Sequence, residues 1–519
     1  MLDRLDHSLR ARPERPAVLS ATRTGATRVS ATRGELAELA DAFAAALHAR
    51  GLRPGDTVGV AVRPGPRALA VLLALWRLGL RGAVLDPGAG AEVLRARLAL
   101  ARPALVLADA AAQAVAGWAR APARRARLEL PELAGLGPVA TVGPRLPGCA
   151  PALDLGAPRL GVPVYAGGPD GSDAVIVFTS GTTSRPRAVV HTRAGLAAGM
   201  ETVSALFTGD PDGPVTGDAY APSTADRRRA VVPGEPVLGG TFFVLVPSLT
   251  SGAPVALPAR SPAVLARQLR RLRPRDTYLT PPQLRDALGA GARFRGRVWT
   301  GSAPASATLL DRVREAGADE AWGVYALTEL FPAAAVESRE KAAFTGTGDL
   351  VGAPLPGVRA VPDADGQLLL AGPAARDRYL GEEPDPWVRT GDRAHLDGAG
   401  RIVLEGRCKD MVLRRAENIY PGLYEPGLHV PGVELGVLVG VPAGDGDERL
   451  VAVVQPRRGV AEPALRAALS GPLREMGTAR PDALLFADIP LSGRSRKPDR
   501  AAVSALAAGL LRAGRGGRA

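Results

Sequence analysis

Helical and strand-like patterns of apolar residues alternate along the first hundred residues. Apolar side chains recur at helical spacing over residues 32–49 and 69–78, whereas short apolar runs typical of buried strands occupy residues 56–62 and 83–85. Strands that alternate with helices along a chain usually form a sheet of mainly parallel strands. The pattern therefore predicts an α/β fold for this part of the chain.

Past Arg407 the pattern changes. Two apolar strands flank a turn rich in Gly and Asp, and a helix, a further strand and a last helix follow. These predicted elements are strands at residues 435–441, 450–454 and 484–489, and helices over residues 463–476 and after Pro498. Because 519 residues exceed what one ordinary core holds, we predict two domains: residues 1–408, and a small α+β domain of residues 409–519.

Two stretches between the periodic segments show little regular pattern. Residues 111–172 are rich in Ala, Pro and Gly, and residues 210–229 contain several turn formers. We expect connecting segments in both.

The composition, with 46% hydrophobic and 23% charged residues, is that of a soluble globular protein. The most membrane-like run, residues 68–85, is interrupted by Arg77 and Arg81, so it predicts a core helix followed by a strand and no membrane span. The N-terminus carries charges where a signal peptide needs an apolar segment. Cys149 and Cys408 are too few for a disulfide framework. We therefore expect a cytoplasmic protein.

The net charge of +13 raises the question of nucleic-acid binding. The arginines, however, are spread over the whole chain, and only 4% of the residues are aromatic. Binding to single strands needs aromatic side chains interleaved with the basic groups. We expect no nucleic-acid partner, although the positive field would attract ATP and other anionic substrates.

A loop rich in hydroxyl groups follows the predicted strand at residues 174–178. It consists of Thr179, Ser180, Gly181, Thr182, Thr183, Ser184, Arg185, Pro186 and Arg187, and a helix is predicted to begin near Thr192. Hydroxyls, a glycine and exposed amides in a strand-to-helix loop suit phosphate binding, but an ordinary turn has a similar composition. The loop lacks the second glycine and the Lys-Ser/Thr ending of a Walker A motif, which argues against a kinase or a P-loop NTPase.

Five later segments carry further candidate chemistry. Each alone has an ordinary explanation, such as a strand-to-helix turn, a tripeptide that recurs by chance, or a solvated surface lysine. Their common order along the chain carries more weight than any single one. In chain order they are Gly301-Ser302-Ala303-Pro304, Tyr325-Ala326-Leu327-Thr328-Glu329, Thr390-Gly391-Asp392, Gly406-Arg407-Cys408-Lys409-Asp410-Met411 and Arg496-Lys497-Pro498-Asp499-Arg500.

Together these segments resemble the motifs of the adenylate-forming superfamily, which includes acyl-CoA synthetases, peptide-synthetase adenylation domains and luciferases. The hydroxyl-rich loop is similar to T-S-G-T-T-G-x-P-K-G, and the later segments are similar to G-G-A-P, Y-G-x-T-E, T-G-D, G-R-x-K-D-M and a C-terminal G-K-x-x-R. The resemblance covers about residues 17–503. It implies a large N-terminal α/β domain with mixed or parallel sheets and a small mobile C-terminal lid.

The resemblance also implies a role for each matched residue. Tyr325 would stack on adenine, Thr328 would contact the α-phosphate, and Glu329 would ligate Mg²⁺, a hard cation that prefers carboxylate and phosphate oxygens. Lys497 would be the catalytic lysine, and Lys409 would lie at the hinge. The other residues implied in binding ATP are the phosphate-loop residues Thr179, Ser180, Gly181, Thr182, Thr183 and Arg187, the adenine-pocket residues Gly301, Ser302, Ala303 and Pro304, and the ribose-side residues Asp392 and Arg407.

Several positions depart from the family pattern. The usual glycine is replaced at Ser184, Ala188, Ala326, Arg415 and Ala416. One alternative is therefore a degenerate nucleotide-binding protein without catalysis. The groups on which the chemistry depends most are nevertheless retained, which favours an enzyme: Glu329, Asp392, Arg407 and Lys497.

The function implied is ATP-dependent activation of a carboxylic acid to an acyl-adenylate, with release of pyrophosphate. Transfer to coenzyme A, or to the phosphopantetheine thiol of an acyl carrier protein, would follow. The alternative is a β-lactone synthetase acting on a β-hydroxy acid, because residues 62–66, 85–90 and 328–340 look like those enzymes of olefin biosynthesis. Residues 417–421 are more similar to an acyl-CoA ligase, so thioester formation is favoured.

The acyl substrate is indicated only by class. Residues 238–245 are apolar, lack a fixed cation and are expected to contribute to the acyl pocket. An aspartate that would anchor the ammonium group of an amino acid is missing from the expected position. We therefore expect a fatty or aryl acid, and a fatty acid first. The sequence indicates no oligomeric state.

Overall fold

The computed structural model describes residues 2–85, 91–116, 137–165, 171–179, 187–208, 231–232, 246–415, 417–444, 447–492 and 496–514. The helices in these ranges are α1 (Leu2–Ala11), α2 (Arg33–Ala49), α3 (Pro66–Arg77), α4 (Ala91–Ala101), α5 (Ala110–Ala116), α6 (Arg193–Thr208), α7 (Val246–Thr250), α8 (Pro262–Leu272), α9 (Pro281–Gly289), α10 (Ala307–Glu315), α11 (Ser338–Ala343), α12 (Glu462–Glu475) and α13 (Arg500–Arg512).

The strands fall into two large sheets, a three-stranded sheet and two short hairpins. In chain order they are β1 (Pro16–Ala21), β2 (Thr27–Thr32), β3 (Thr57–Ala61), β4 (Arg81–Val84), β5 (Leu105–Asp109), β6 (Val139–Val142), β7 (Asp173–Phe178), β8 (Ala188–Thr192), β9 (Val231–Val232), β10 (Val255–Ala256), β11 (Asp276–Tyr278), β12 (Arg297–Thr300), β13 (Glu320–Tyr325), β14 (Ala334–Glu337), β15 (Asp349–Pro354), β16 (Arg359–Pro362), β17 (Gln367–Ala371), β18 (Arg378–Tyr379), β19 (Val388–Leu396), β20 (Ile402–Arg407), β21 (Val412–Arg414), β22 (Glu417–Ile419), β23 (Val433–Gly444), β24 (Asp447–Pro456), β25 (Ala483–Phe486), β26 (Leu491–Ser492) and β27 (Lys497–Pro498).

The first large sheet has the order β18-β8-β7-β4-β3-β5-β6. Its strands β3 to β7 run parallel to one another, whereas β8 pairs antiparallel with both β7 and β18. Successive residues of a strand point to opposite faces, and both faces are covered: Val175 packs in the core that contains α2 and α3, and Ile176 in the core that contains α4. Burial on both faces explains the nearly continuous apolar runs of these strands.

The second large sheet has the order β16-β17-β19-β20-β15-β14-β13-β12-β11-β9-β10-β1-β2. The strands β9 to β13 pair in parallel, and the strands β14 to β17, β19 and β20 pair antiparallel. The sheet is therefore mixed. Its transition from parallel to antiparallel pairing, at β13 and β14, flanks the segment Tyr325 to Glu329.

The C-terminal part is a three-stranded sheet, β23-β24-β25, with one helix on each face. Leu438 and Leu450 pack with α12, whereas Val439 and Val451 pack with α13. The predicted α+β character of this region is present in the structure. The boundary at residues 408–409 remains a prediction; it falls where β20 ends and a short 3-10 helix, Cys408–Asp410, begins.

Local sequence explains where the long helices begin. Thr32 caps α2 and accepts a hydrogen bond from the Glu35 backbone, while the Glu35 side chain accepts one from the Thr32 backbone. Pro66 occupies the first turn of α3, where its missing N–H costs nothing. No helix among the described residues is both long and apolar enough to cross a membrane.

The helix predicted to begin near Thr192 is present as α6, which begins at Arg193. Strand β8, which was not predicted, lies between the hydroxyl-rich loop and this helix and pairs antiparallel with β7. The loop therefore connects two strands and is not the strand-to-helix loop that the sequence suggested.

The stretch at residues 111–172, expected to be connecting, contains most of α5 and all of β6 in its described parts. The stretches at residues 210–229 and 238–245, which were predicted to be a connection and part of the acyl pocket, lie outside the described residues.

Candidate functional site

Only the two ends of the predicted phosphate loop are described. The backbone N–H of Thr179 donates to the carbonyl of Arg187 at 3.1 Å. Ser180, Gly181, Thr182 and Thr183 lie outside the described residues. The Arg187 guanidinium lies 3.5 Å from the centre of the Tyr379 ring and 3.2 Å from a Glu382 carboxylate oxygen. Arg187, the cation predicted to act on phosphate, is thus the last residue of the loop, and its side chain is 55% exposed.

The segment Thr328-Glu329 is held by three contacts from other elements. The Tyr379 hydroxyl donates to Glu329 Oε1 at 2.9 Å. The backbone N–H of Arg376 donates to the Glu329 carbonyl at 2.6 Å. His191 Nε2 lies 2.8 Å from the Thr328 carbonyl, and because a carbonyl only accepts, Nε2 carries the proton. The turn that carries the predicted metal ligand is therefore fixed by side chains from β8 and β18 and by the backbone of Arg376, just before β18.

His191 is fully buried, and burial lowers its pKa to about 4. The hydrogen bond to the Thr328 carbonyl acts in the opposite direction, and Arg376 lowers the pKa further. The imidazole is therefore neutral near pH 7. Its place behind the Thr328 turn identifies it as a packed, hydrogen-bonded residue of the core.

Asp392 is the centre of the second cluster. The Tyr325 hydroxyl donates to Asp392 Oδ2 at 2.6 Å, and Arg407 Nε lies 2.8 Å from Asp392 Oδ1. This contact follows from strand register, since Asp392 in β19 and Arg407 in β20 are direct antiparallel partners. Arg407 also donates to the carbonyl of Thr390 at 3.0 Å. The T-G-D and G-R-x-K-D-M segments, which are separate in sequence, thus form one polar site.

Burial determines the protonation behaviour of this cluster. It raises the pKa of Asp392, while Arg407 opposes that effect. Burial and the neighbouring Asp392 raise the pKa of Tyr325 well above its usual range. Tyr325 therefore keeps its proton and acts as the donor in the pair.

Lys497 reaches the same cluster from β27, which pairs with β26 in a short hairpin. The residue as a whole remains exposed, yet its ammonium group is desolvated by the surrounding protein. This burial of the charged end is the main cause that lowers its pKa, with Arg407 and Lys409 adding to it and Asp392 opposing it. The predicted catalytic lysine and the predicted ribose-binding aspartate are therefore electrostatic neighbours.

The predicted adenine segment follows β12. The backbone at Gly301 lies close to neighbouring groups. A Cβ added there would be 3.0 Å from the Val324 carbonyl oxygen and 3.1 Å from the Tyr278 hydroxyl. Ser302 has a φ of +70°, in the left-handed region that favours glycine. Ala303 and Pro304 continue the segment toward α10. The second position of the expected G-G-A-P thus keeps a glycine-like backbone although its residue is serine.

Sequence reasoning missed Tyr379 and Tyr278, which contact predicted site residues. The only sequence signal for Tyr379 is an aromatic residue beside arginines a short distance before Thr390. Its contact with Glu329 depends on the pairing of β18 with β8, which no local pattern reveals.

The side chains available for a metal fit Mg²⁺ only together with ATP. Within the described ranges, no group of three or more His, Cys, Asp or Glu could hold a metal ion by itself. Glu329 supplies one carboxylate whose Oε1 already accepts a hydrogen bond from Tyr379. Mg²⁺ usually takes one or two protein carboxylates and completes its coordination with substrate phosphates and water. The donor set is consistent with that arrangement.

Comparison with known proteins identifies the family. The profile described as "AMP-binding enzyme" matches residues 5–375. Among curated proteins, a feruloyl-CoA synthase of Amycolatopsis sp is 28% identical over 469 residues, covering 85% of this chain and 86% of that protein. An olefin β-lactone synthetase of Stenotrophomonas maltophilia is 27% identical over 525 residues, covering 90% of each chain.

Solved structures share the fold. The amide bond synthetase McbA from Marinactinospora thermotolerans matches with a TM-score of 0.73 and 24% sequence identity, covering 97% of this chain and 99% of that one. A match of this extent confirms the predicted α/β fold with a large N-terminal and a small C-terminal domain.

Proposed function

Since the chain belongs to the AMP-binding enzyme family, and is thereby an acyl-CoA synthetase-like ligase that activates acids by adenylation, we propose that its substrates are ATP and an apolar carboxylic acid. The observation that carries the proposal is a polar cluster around Asp392. The Asp392 carboxylate contacts Tyr325 and Arg407, and its charge interacts with that of the Lys497 ammonium group. Four separate segments of the chain supply these groups.

The chemical difficulty of the first step is repulsion between two anions. One oxygen of the substrate carboxylate attacks the α-phosphorus of ATP, the bond from that phosphorus to the bridging oxygen breaks, and pyrophosphate leaves with the electron pair. The carboxylate is already ionised at neutral pH, so no side chain has to act as base. The site must hold the reactants in line and stabilise negative charge.

We assign Lys497 and Arg187 to charge stabilisation on the phosphates, and Thr328 to contact with the α-phosphate. Mg²⁺ bound by Glu329 and the phosphates would neutralise charge on the departing pyrophosphate. Lysine and arginine are suited to the task because preorganised cations are worth more in a partly desolvated site than in water.

Asp392 is assigned to the ribose hydroxyls. Each of its oxygens already accepts one hydrogen bond or ion pair, from Tyr325 and from Arg407. A carboxylate has about four lone-pair positions, so each oxygen retains capacity for one ribose hydroxyl. Tyr325 would then present its ring to adenine while its hydroxyl stays on Asp392.

The acid is proposed to bind beside an aromatic cluster. Trp299 and Trp322 stack with ring centres 5.3 Å apart, and they pack with Tyr278 and with Val203 of α6. These residues flank the adenine segment and the Tyr325 turn; Trp322 is only partly buried, whereas Trp299, Tyr278 and Val203 are buried and form the apolar layer behind it. They support an aryl or fatty acid, and the similarity to a feruloyl-CoA synthase makes arylpropenoic acids worth including beside the fatty acids that we expect first.

We place the domain boundary at residues 408–409 and propose that Lys409 acts as the hinge of the lid. The two parts meet in several polar contacts: Thr308 donates to the carbonyl of His429 at 2.6 Å, and Arg312 lies 3.1 Å from Glu434. With these contacts in place, Lys497 is near Asp392, an arrangement suited to adenylation.

For the second step we propose transfer to the thiol of coenzyme A or of a phosphopantetheine carrier. The similarity to an olefin β-lactone synthetase keeps one alternative, in which the hydroxyl of a β-hydroxy acid displaces AMP. Both acceptors would attack the same acyl-adenylate, so the first step can be tested independently of the second.

The test is hydroxylamine trapping with ATP, Mg²⁺ and a panel of aryl, fatty and β-hydroxy acids. Hydroxamate and pyrophosphate from one class would support adenylation and identify the acid. Lys497→Ala should lower the rate by about 10²- to 10³-fold and leave ATP binding in place. Adding coenzyme A should convert the preferred acid to a thioester, whereas AMP release that needs a β-hydroxyl but no thiol would favour the lactone. No product from any acid would overturn the proposal.

A further inference from the structure

Tyr379 connects two groups that are predicted to handle the phosphates of ATP. Its hydroxyl donates to Glu329 Oε1 at 2.9 Å, and the Arg187 guanidinium lies 3.5 Å from the centre of its ring. The guanidinium of Arg376 lies 4.6 Å from the same ring. The side chain is thus shared between the predicted metal ligand and the predicted phosphate-loop cation.

The backbone places Tyr379 at this position. It lies in β18, a strand of two residues at the edge of the seven-stranded sheet, and pairs with Val189 of β8. Strand β8 directly follows the phosphate loop and begins one residue after Arg187. The pairing therefore sets the distance between the Tyr379 ring and the end of that loop.

Two backbone contacts already fix the Thr328-Glu329 turn without the Tyr379 hydroxyl. The N–H of Arg376 donates to the Glu329 carbonyl at 2.6 Å, and His191 binds the Thr328 carbonyl. The hydroxyl instead binds the carboxylate, at the end of a side chain with three rotatable bonds. Its effect is therefore on the direction in which the carboxylate points.

We infer that Tyr379 is a positioning residue that orients the Glu329 carboxylate toward the Mg²⁺ of ATP and holds Arg187 at the phosphate loop. With Oε1 engaged by the hydroxyl, Oε2 is left for the metal. Hydrogen-bonded partners of metal-binding carboxylates orient them, and losing such a partner commonly weakens metal binding by about 10- to 100-fold. The inference rests on the proposed function, because it assigns Tyr379 to the MgATP complex of that reaction.

The decisive variant is Tyr379→Phe, which keeps the ring against both arginines and removes only the hydroxyl. The Mg²⁺ concentration that gives half-maximal adenylation should rise about tenfold, the lower end of that range, because the ATP phosphates also hold the metal. The rate at saturating Mg²⁺ should stay within about twofold of the wild-type rate.

A binding measurement gives the same information without turnover. Calorimetric titration with α,β-methylene-ATP, which cannot be split between its α- and β-phosphates, should show about tenfold weaker binding at limiting Mg²⁺ for Tyr379→Phe. Binding measured with chelator and no Mg²⁺ should be unchanged. Tyr165→Phe is the matched control, since Tyr165 also lies beside an arginine, Arg193, at 5.3 Å but does not contact Glu329.

The role of the Tyr379 ring in holding Arg187 is tested by a variant that lacks the ring. Tyr379→Leu should lose affinity for the ATP analogue even without Mg²⁺, by about threefold, because Arg187 loses the aromatic surface beneath it. Tyr379→Phe should not. Because both variants lack the hydroxyl, a difference between them that persists without the metal separates the role of the ring from that of the hydroxyl.

Several outcomes would overturn the inference. If Tyr379→Phe has the wild-type Mg²⁺ dependence, the hydroxyl does not orient the carboxylate. If the variant loses its cooperative unfolding transition, the hydroxyl serves the fold. Failure of the wild type to activate any acid would count against the proposed function alone, because the calorimetric comparison would still decide the role of Tyr379.

Discussion

At the scale of single residues, the environment of Lys497 predicts how the rate of adenylation depends on pH. Desolvation of its ammonium group lowers the pKa, and Arg407 and Lys409 lower it further. A base with a lowered pKa loses its charge at a lower pH than usual, so adenylation that depends on this cation should decline on the alkaline side below the ordinary lysine value of 10.5.

The check is the rate of ATP–pyrophosphate exchange from about pH 7 to pH 10 in the wild type and in Lys497→Arg. A guanidinium stays charged throughout this range, so the alkaline decline should disappear in the variant even if its absolute rate is lower. An identical decline in both proteins would assign the titration to another group.

Because His191 is buried in its neutral form, we expect the folded protein to lose stability in acid. Burial lowers its pKa to about 4 from the ordinary 6.5, so between these values the unfolded chain binds a proton that the folded chain does not. The free energy of unfolding should therefore rise with pH across this window, and below it the total loss amounts to about 3 kcal/mol.

The measurement is urea unfolding at several pH values between about 4 and 7. His191→Gln, whose amide can still donate to the Thr328 carbonyl, should show a smaller decrease in acid than the wild type. His7→Gln, at an exposed position, should keep the wild-type decrease. Equal pH dependence in all three proteins would refute the assignment.

At the scale of structural elements, three departures from the family pattern keep the expected backbone. Ser302, Arg415 and Arg496 stand where the pattern has glycine, and their φ angles are +70°, +51° and +47°. A side chain in the left-handed region costs roughly 1–2 kcal/mol. The loops therefore keep the shape that glycine permits and carry a polar or charged side chain in addition.

Arg415 is the clearest place to test this cost. It begins the two-residue connection between β21 and β22, in which Arg414 and Glu417 are paired, and such tight hairpins favour residues with positive φ. Arg415→Gly should stabilise the protein by about 1 kcal/mol, since the Arg415 side chain is 75% exposed and its ion pair with Asp482 is long, at 3.6 Å.

Chemical denaturation of Arg415→Gly measures this gain, with Arg389→Gly as the control. Arg389 is also exposed but lies in β19, where glycine weakens a strand, so the control should lose about 0.5–1 kcal/mol. A loss of stability in both variants would show that the Arg415 side chain contributes more than its backbone conformation costs.

Local pattern predicted several of the longer elements of the fold. Helix α2 was expected over residues 32–49, and β23, β24 and α12 were expected within a few residues of their observed bounds, because each buries one regular stripe or face. Helix α6 begins at Arg193, where the sequence led us to expect a helix, but strand β8 was not predicted although Ala188 to His191 is a short apolar run. Elements as short as β18 carry no periodic signal at all.

The sequence motifs predicted which residues belong to the site but not which of them contact each other. The sequence identified Asp392, Arg407 and Lys497 as separate matches, and the structure brings them into one cluster. Their proximity depends on the register of β19 with β20 and on where the C-terminal hairpin packs. The partner of Glu329 depends on pairing between strands 190 residues apart, which alternation of apolar and polar residues does not encode.

At the scale of the whole molecule, the position of the C-terminal domain depends on a charged cluster. Glu434 lies 3.1 Å from Arg312 of α10 and 3.6 Å from Arg285 of α9, and these side chains are only 15–18% exposed. Burial lowers the pKa of Arg285 to about 10, and Glu434 is the main opposing influence. One carboxylate of the small domain thus neutralises two arginines of the large one.

Glu434→Gln should therefore weaken the arrangement that keeps Lys497 near Asp392. Removing one partner of a well-buried pair costs about 3–5 kcal/mol, and partial exposure reduces this to about 1–2 kcal/mol. We expect up to a tenfold lower rate of ATP–pyrophosphate exchange and a larger radius of gyration in X-ray scattering, because the population shifts to other lid positions.

Glu337→Gln is the matched control. Glu337 pairs with Arg314 of the same helix, α10, at comparable exposure, but both residues belong to the large domain. It should reduce stability without changing the scattering curve or the exchange rate, because it leaves the contact between the domains intact. If the two variants behave alike, the effect of Glu434→Gln is on stability and not on the position of the lid. If Glu434→Gln alone changes the scattering curve and the exchange rate, this ion pair contributes to placing the catalytic lysine.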